Sequence, residues 1–195
     1  MITIIVAIAD GNAIGNKGDL LYHLSADLKR FRKLTVGNTV LMGRKTFDSL
    51  PKGALPDRRN IVLTRNKSLQ FAGAERFESI EEALNHCSPD EHIFIIGGAE
   101  IYRQSLTYAD SMEITRIFAK PEEADTFFPD ISTDEWEESA REDFKATDSC
   151  PYDYSFISYK RKNKKYALVT AKRHQVPWQA EETLHISRHL RTEAQ

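Results

Sequence analysis

The stretch His92-Ile-Phe-Ile-Ile-Gly-Gly-Ala-Glu-Ile-Tyr102 decides the fold. A fully apolar run that meets a glycine pair and then helix-forming residues reads as a buried strand turning sharply into a helix. The same pattern recurs along the chain. Residues 2–9 are rich in Ile and Val, Thr39-Val-Leu-Met42 is a second run, and Asn60-Ile-Val-Leu-Thr64 a third. Helix-like segments fall between them at 25–35, 44–50 and 79–87, and another follows Gly98. Ser79 with Glu81 and Glu82 resembles an N-cap followed by acids in the first turn. Apolar strands alternating with helices predict an α/β fold with a largely parallel sheet covered on both faces. From residue 111 the pattern changes. Residues 112–118 and 152–159 alternate apolar and polar, which predicts a hairpin-like or mixed edge to that sheet.

Composition bounds the function. The 195 residues suit one sizeable domain, with 41% hydrophobic content and a net charge of -2. No global field favours nucleic acid or an anionic membrane. The apolar start is cut off by Asp10 and Gly11 and lacks a positive leader, so it reads as a strand and not a signal peptide. No run approaches the roughly 20 residues of a membrane span. Cys87 and Cys150 have no metal spacing; two thiols suit a reducing cytoplasm, with a single disulfide as the alternative. Residues 163–195 differ from the rest. Six Lys/Arg against three Asp/Glu give that segment +3, which leaves -5 on residues 1–162. The expected organisation is a main domain over 1–162 and an extension over 163–195, with a strand at 166–170 and moderate helix propensity over 179–193. His185 and His189 are four apart in it, but no carboxylate or Cys completes a ligand set, and no metal is expected.

Leu24-Ser-Ala-Asp-Leu-Lys-Arg-Phe-Arg-Lys-Leu34 reads as a helix in which Leu24, Leu28, Phe31 and Leu34 share a stripe at roughly 100° per residue. Asp27 lies within that stripe. It is either a functional acid placed against the core, or an ordinary first-turn acid behind a Ser25 N-cap. Three strand ends carry anion-binding chemistry: Gly43-Arg-Lys-Thr46, Leu63-Thr-Arg65 and Gly97-Gly-Ala-Glu100. Neither GxGxxG nor a P-loop is present. In open α/β sheets ligands bind beyond such strand ends, and the cations favour a 2′-phosphorylated dinucleotide, NADPH. Residues 10–22 form a glycine-rich loop with apolar islands at Ile14, Leu20 and Leu21, of the kind that serves as a lid. Arg58 and Arg59 stand in a turn before a strand; they suit a substrate carboxylate or are solvated turn residues.

Taken together, Ile5-Val-Ala7, Ala13-Ile-Gly15, Leu24-Ser-Ala-Asp27, Val40-Leu-Met-Gly-Arg-Lys-Thr46, Leu55-Pro-Asp-Arg58, Ile96-Gly-Gly98 with Tyr102, and Asp125-Thr-Phe-Phe-Pro129 resemble the dihydrofolate reductase family of bacterial chromosomal type, over residues 1–162. The resemblance implies a three-layer α/β sandwich with a central eight-stranded, mainly parallel sheet. It implies hydride transfer from NADPH to C6 of 7,8-dihydrofolate with protonation at N5, in tetrahydrofolate synthesis, by a cytoplasmic monomer that antifolate inhibitors also bind. It makes Asp27 the acid of the pterin pocket, supported by Thr115. It assigns pocket walls to Ile5, Val6, Ala7, Leu28, Phe31, Leu50, Leu55, Ile96 and Tyr102, and the glutamate carboxylate to Arg58. Cofactor contacts fall on Ala7, Ile14, Gly15, Asn16, Gly18, Leu20, Gly43, Arg44, Lys45, Thr46, Leu63, Thr64 and Arg65. They continue over Ile96, Gly97, Gly98, Ala99, Glu100, Ile101, Tyr102 and Thr126, with a cis peptide at the glycine pair. Leu20 and Tyr22 join the catalytic group. Leu21-Tyr22 replaces the family's Pro-Trp, which puts the stiffness of the loop in question. Two alternatives remain: a riboflavin-pathway type reductase on the same fold, and a non-catalytic nucleotide-binding module.

Overall fold

A computed structural model describes residues 1–148 and 150–162. The strand at 166–170, the helix at 179–193 and the histidine pair lie outside the described residues. The chain runs β1 (Ile2–Ile8), β2 (Ala13–Asn16), β3 (Asp19–Leu20), α1 (Ser25–Thr35), β4 (Thr39–Gly43), α2 (Arg44–Asp48), β5 (Arg59–Leu63) and β6 (Glu75–Phe77). It continues through α3 (Ile80–Asn85), β7 (Ile93–Gly97), α4 (Ala99–Ser105), β8 (Ser111–Ile117), β9 (Thr126–Phe127), β10 (Trp136–Phe144) and β11 (Tyr154–Arg161). Eight strands form one sheet in the order β10-β11-β8-β1-β7-β4-β5-β6, and β3-β2-β9 form a small second sheet. Pairs from β8 through β6 are parallel; β11 is antiparallel to both β8 and β10. The three-layer expectation holds.

Alternation within the strands explains the layers. Ile2, Ile4, Ile93, Ile95, Leu41, Ile61, Met112 and Ile114 pack one core cluster with α3 residues Ile80, Ala83 and Leu84. Ile5, Val40, Met42, Val62 and Phe94 face the other side, where Phe31 and Leu34 of α1 pack. Ser79 caps α3 by accepting from the Glu82 amide at 3.1 Å. Cys87 and Cys150 are both free, so the disulfide alternative does not occur. No helix among the described residues is long and apolar enough to cross a membrane.

Three expectations change. The alternating segments do pair, β8 with β11, but β10 covers them, and it is β10 that forms the edge. Ser25 is the first residue of α1 and does not cap it; the N-cap is Leu24, with no side-chain hydrogen bond. The apolar stripe of α1 is interrupted: Leu24 is 5% exposed but Leu28 is 50% exposed. Leu24 packs with Ile117 and Tyr154, while Phe31 and Leu34 pack on the other cluster. Leu28 thus lies on the part of the stripe that leaves the sheet.

Candidate active site

Where the sheet splits, the site begins. β1 pairs with β7 only through Ile2–Ile93, Thr3–Phe94 and Ile4–Ile95, yet stays on β8 as far as Ile8. On its other side β7 shifts register against β4 between Leu41–Ile95 and Met42–Gly97, so Ile96 is an extra residue. Beyond it Gly97 takes φ +120°, and the Gly97–Gly98 peptide is cis, as expected from the resemblance. The Tyr102 hydroxyl donates to the Ile5 carbonyl at 2.9 Å, so α4 supplies the partner that the ladder no longer provides. A Cβ on Gly97 would lie 3.2–3.3 Å from the Tyr102 ring and hydroxyl. We therefore expect Gly97→Ala to cost about 3 kcal/mol, from a backbone region closed to alanine and from the overlap with Tyr102. Chemical denaturation measures this; a loss below about 1 kcal/mol would contradict it.

Asp27 sits on the wall of this cleft. Its carboxylate accepts from the Thr115 hydroxyl at 2.6 Å. Burial raises its pKa; the Thr115 hydrogen bond and the Arg30 charge act the other way. This is not the environment of a solvated first-turn acid. Tyr102 lies close enough for the Asp27 charge to add to the rise in its own pKa. One turn along α1, about 6 Å by helix geometry, the Arg58 guanidinium stands 5.9 Å from the centre of the Phe31 ring. Arg58 Nε is buried without a hydrogen-bond partner. Burial and the nearby Arg32 lower the Arg58 pKa. Arg59 differs: Glu75 and Glu91 clamp it at 2.7 and 2.9 Å. The turn composition alone does not separate these two arginines, although the resemblance selects Arg58; the structure leaves that guanidinium Nε without a hydrogen-bond partner. Phe31, Leu50, Leu55 and Ile96 pack together on this side of the sheet.

The order β7-β4-β5 sets the ends of those strands side by side, so Gly97, Gly43 and Leu63 converge. Gly43 carries no Cβ because Ile101 would meet it at 3.0 Å, which holds α4 close to β4. A Cβ on Gly98 would lie 3.4 Å from the Thr46 hydroxyl. Helices α2 and α4 have five and seven residues, too short for a large dipole, so anion-binding charge here comes from side chains. Arg44 is tethered to Asp48 at 2.6 Å. Lys45 and Arg65 are exposed. Glu100 is engaged by Arg103 and by Gln104.

The glycine-rich loop is built as a hairpin. β2 and β3 meet through Asn16–Asp19, with Lys17 and Gly18 in the left-handed turn. Gly15 pairs with Thr126, the Asp125 carboxylate accepts from the Lys17 amide at 2.8 Å, and the Gly15 carbonyl accepts from the Asp125 amide at 3.2 Å. Tyr22 packs edge-on to Tyr152 at 4.8 Å. With Ala7, Ile14, Leu20, Leu21 and Ile117 it lines a small recess at the cleft mouth. Sequence reasoning missed the Asp125 latch and the Arg30 pairing; charged residues so far apart in the chain carry no local signal.

The family model described as dihydrofolate reductase matches residues 1–161. The chain belongs to the dihydrofolate reductase family. It is 38% identical over 163 residues to the dihydrofolate reductase of Bacillus subtilis, covering 84% of this chain and 96% of that protein. Identity to the dihydrofolate reductase of Neisseria gonorrhoeae is 40% over 158 residues, covering 81% and 96%. A solved dihydrofolate reductase from Enterococcus faecalis, complexed with NADP(H) and RAB-propyl, aligns with a TM-score of 0.78 at 33% identity, covering 84% of this chain and 97% of that one.

Proposed function

We infer that this chain reduces 7,8-dihydrofolate to 5,6,7,8-tetrahydrofolate with NADPH. The observation that carries the reading is the Asp27 carboxylate held by Thr115 in a cleft of the sheet, within a chain of the dihydrofolate reductase family. A cleft acid with charge-assisted acceptor capacity suits the amino and ring N–H groups of a pterin. Bound so, Asp27 orients the ring and promotes protonation at N5, and burial raises its pKa above the ordinary carboxylate value. Val6, Ala7, Leu28, Phe31, Leu50, Leu55 and Ile96 supply apolar walls, and the half-exposed Leu28 becomes covered. Arg58 takes the substrate's α-carboxylate, and its partnerless Nε supports that role.

The cofactor fit rests on the converging ends of β4, β5 and β7, where Gly43 packs against Ile101 and Gly98 stands beside the Thr46 hydroxyl. Arg44, Lys45, Thr46, Thr64 and Arg65 would hold the phosphates. When bound, NADPH supplies the hydride to C6. Gly15, Leu20 and Tyr22, on or beside the latched hairpin, exclude water from the reacting face. We assign the reductase domain to 1–162 and the extension to 163–195, and place the protein in the cytoplasm as a monomer. Antifolate inhibitors would compete at the Asp27 cleft.

The test is NADPH oxidation by purified full-length and 1–162 protein. Dihydrofolate-dependent turnover by both is the expected result. Folded protein that binds NADPH without turnover would favour the nucleotide-binding module. Turnover only with a pyrimidine of the riboflavin pathway would favour the other reductase.

A further inference from the structure

Behind Asp27, on the face of α1 that meets β8 and β11, a second polar contact runs parallel to the first. Arg30 pairs with Glu113 through a direct hydrogen bond. Ser158 donates to the same Glu113 oxygen at 2.8 Å, and the Arg30 guanidinium lies over the Phe156 ring at 4.6 Å. Arg30 and Glu113 side chains are only 17% and 21% exposed. The geometry is periodic. Asp27 and Arg30 are one helical turn apart. Thr115 and Glu113 are two apart on β8 and so share a face. Opposite them on β11 stand Phe156, paired with Thr115, and Ser158, paired with Glu113. Two residues of α1 are thus seated on two adjacent rungs of the sheet.

We propose that Arg30 is a positioning residue for Asp27, and that Glu113, Ser158 and Phe156 form the seat that holds it. The inference rests on Asp27 being the acid of the site. A pair of contacts one turn apart fixes the rotation of α1 about its axis, which a single Thr115 hydrogen bond cannot do. The same seat sets the charge around Asp27. The groups facing it are Arg30 on its own helix, Thr115 on β8 and the Tyr102 hydroxyl on α4; Glu113 stands behind Arg30 and tempers its charge. A cation nearby favours the carboxylate, so Arg30 opposes the effect of burial. Removing Arg30 should raise the Asp27 pKa. Removing Glu113 leaves Arg30 uncompensated and should lower it. A purely structural ion pair predicts no such opposition.

The experiment uses full-length protein with 13C-labelled aspartate and follows the Asp27 carboxyl resonance through pH. Single-turnover hydride transfer is measured over the same range. Arg30→Met should move the Asp27 midpoint up by roughly half to one pH unit, and Glu113→Gln should move it down by a smaller amount. Arg30→Lys should return it most of the way. Thermal melting identifies any variant that fails to fold, and the conservative Glu113→Gln and Arg30→Lys still decide the matter if Arg30→Met does not fold. Unmoved midpoints, or shifts of the same sign in Arg30→Met and Glu113→Gln, overturn the inference. If the resonance moves in opposite directions while the rate profile stays fixed, the positioning of Asp27 stands and its assignment as the acid falls.

Discussion

Asp27→Asn lowers turnover at neutral pH by about two to three orders of magnitude, the usual contribution of a positioned proton donor. Thr115 can still donate to the amide oxygen, so the geometry survives while the ionisable group is gone. NADPH affinity stays nearly unchanged, because the converging ends of β4, β5 and β7 do not involve residue 27. Activity recovers towards low pH, where the substrate arrives protonated. Equal turnover by both proteins at neutral pH would refute the assignment. Stability moves the other way. The folded-state pKa of Asp27 lies above its unfolded value, chiefly through burial. In the native protein the stability linked to this group is therefore fully present below the ordinary carboxylate pKa and is lost as pH rises through the raised one. The Asn variant carries no such loss. Its melting temperature should match the native protein in acid and exceed it at neutral pH. A melting temperature lower than native at neutral pH would contradict this linkage.

Arg58→Leu weakens dihydrofolate binding about a hundredfold, since a desolvated carboxylate would lose the Arg58 fork of donors. Binding measured separately for each ligand should show NADPH affinity preserved. The cost to the fold is small or negative. Arg58 Nε is already buried without a partner, and burial together with Arg32 disfavours its charge. The same change at Arg59 should instead destabilise the protein, because Glu75 and Glu91 would be left uncompensated. Unchanged folate affinity, or equal loss for both ligands, would remove Arg58 from the substrate site.

Much of this was legible in residue order, for physical reasons. The apolar runs that became β1, β4, β5 and β7 are buried on both faces, which leaves few alternatives to a central parallel strand. The three strand ends with glycine and cations converge because those strands are neighbours. β10 was invisible because its residues are mostly charged and, except for Trp136 and Phe144, exposed; only pairing with β11 makes it a strand. β6 and β9 are three and two residues long and carry no period. Leu28 shows the limit of a helical stripe, since periodicity finds a face but not where that face leaves the sheet. Arg30 carries no signal in the sequence, because its partners Glu113 and Ser158 are brought to it only by register.

The extra residue at Ile96 has a wider meaning. Within a continuous sheet each strand uses up its neighbours' amides and carbonyls, and nothing remains with which to recognise another molecule. Here a one-residue misfit between β7 and β4 accompanies the parting of β1 from β7 after three pairs, and a tyrosine hydroxyl satisfies the first carbonyl beyond the gap. The interior of the sheet thereby becomes a pair of inner margins, rigid because each strand stays bonded on its far side. A flat ring entering there meets main-chain groups whose positions no side-chain substitution can readily abolish. Drift in the surrounding side chains can change what else is bound without dissolving the slot itself.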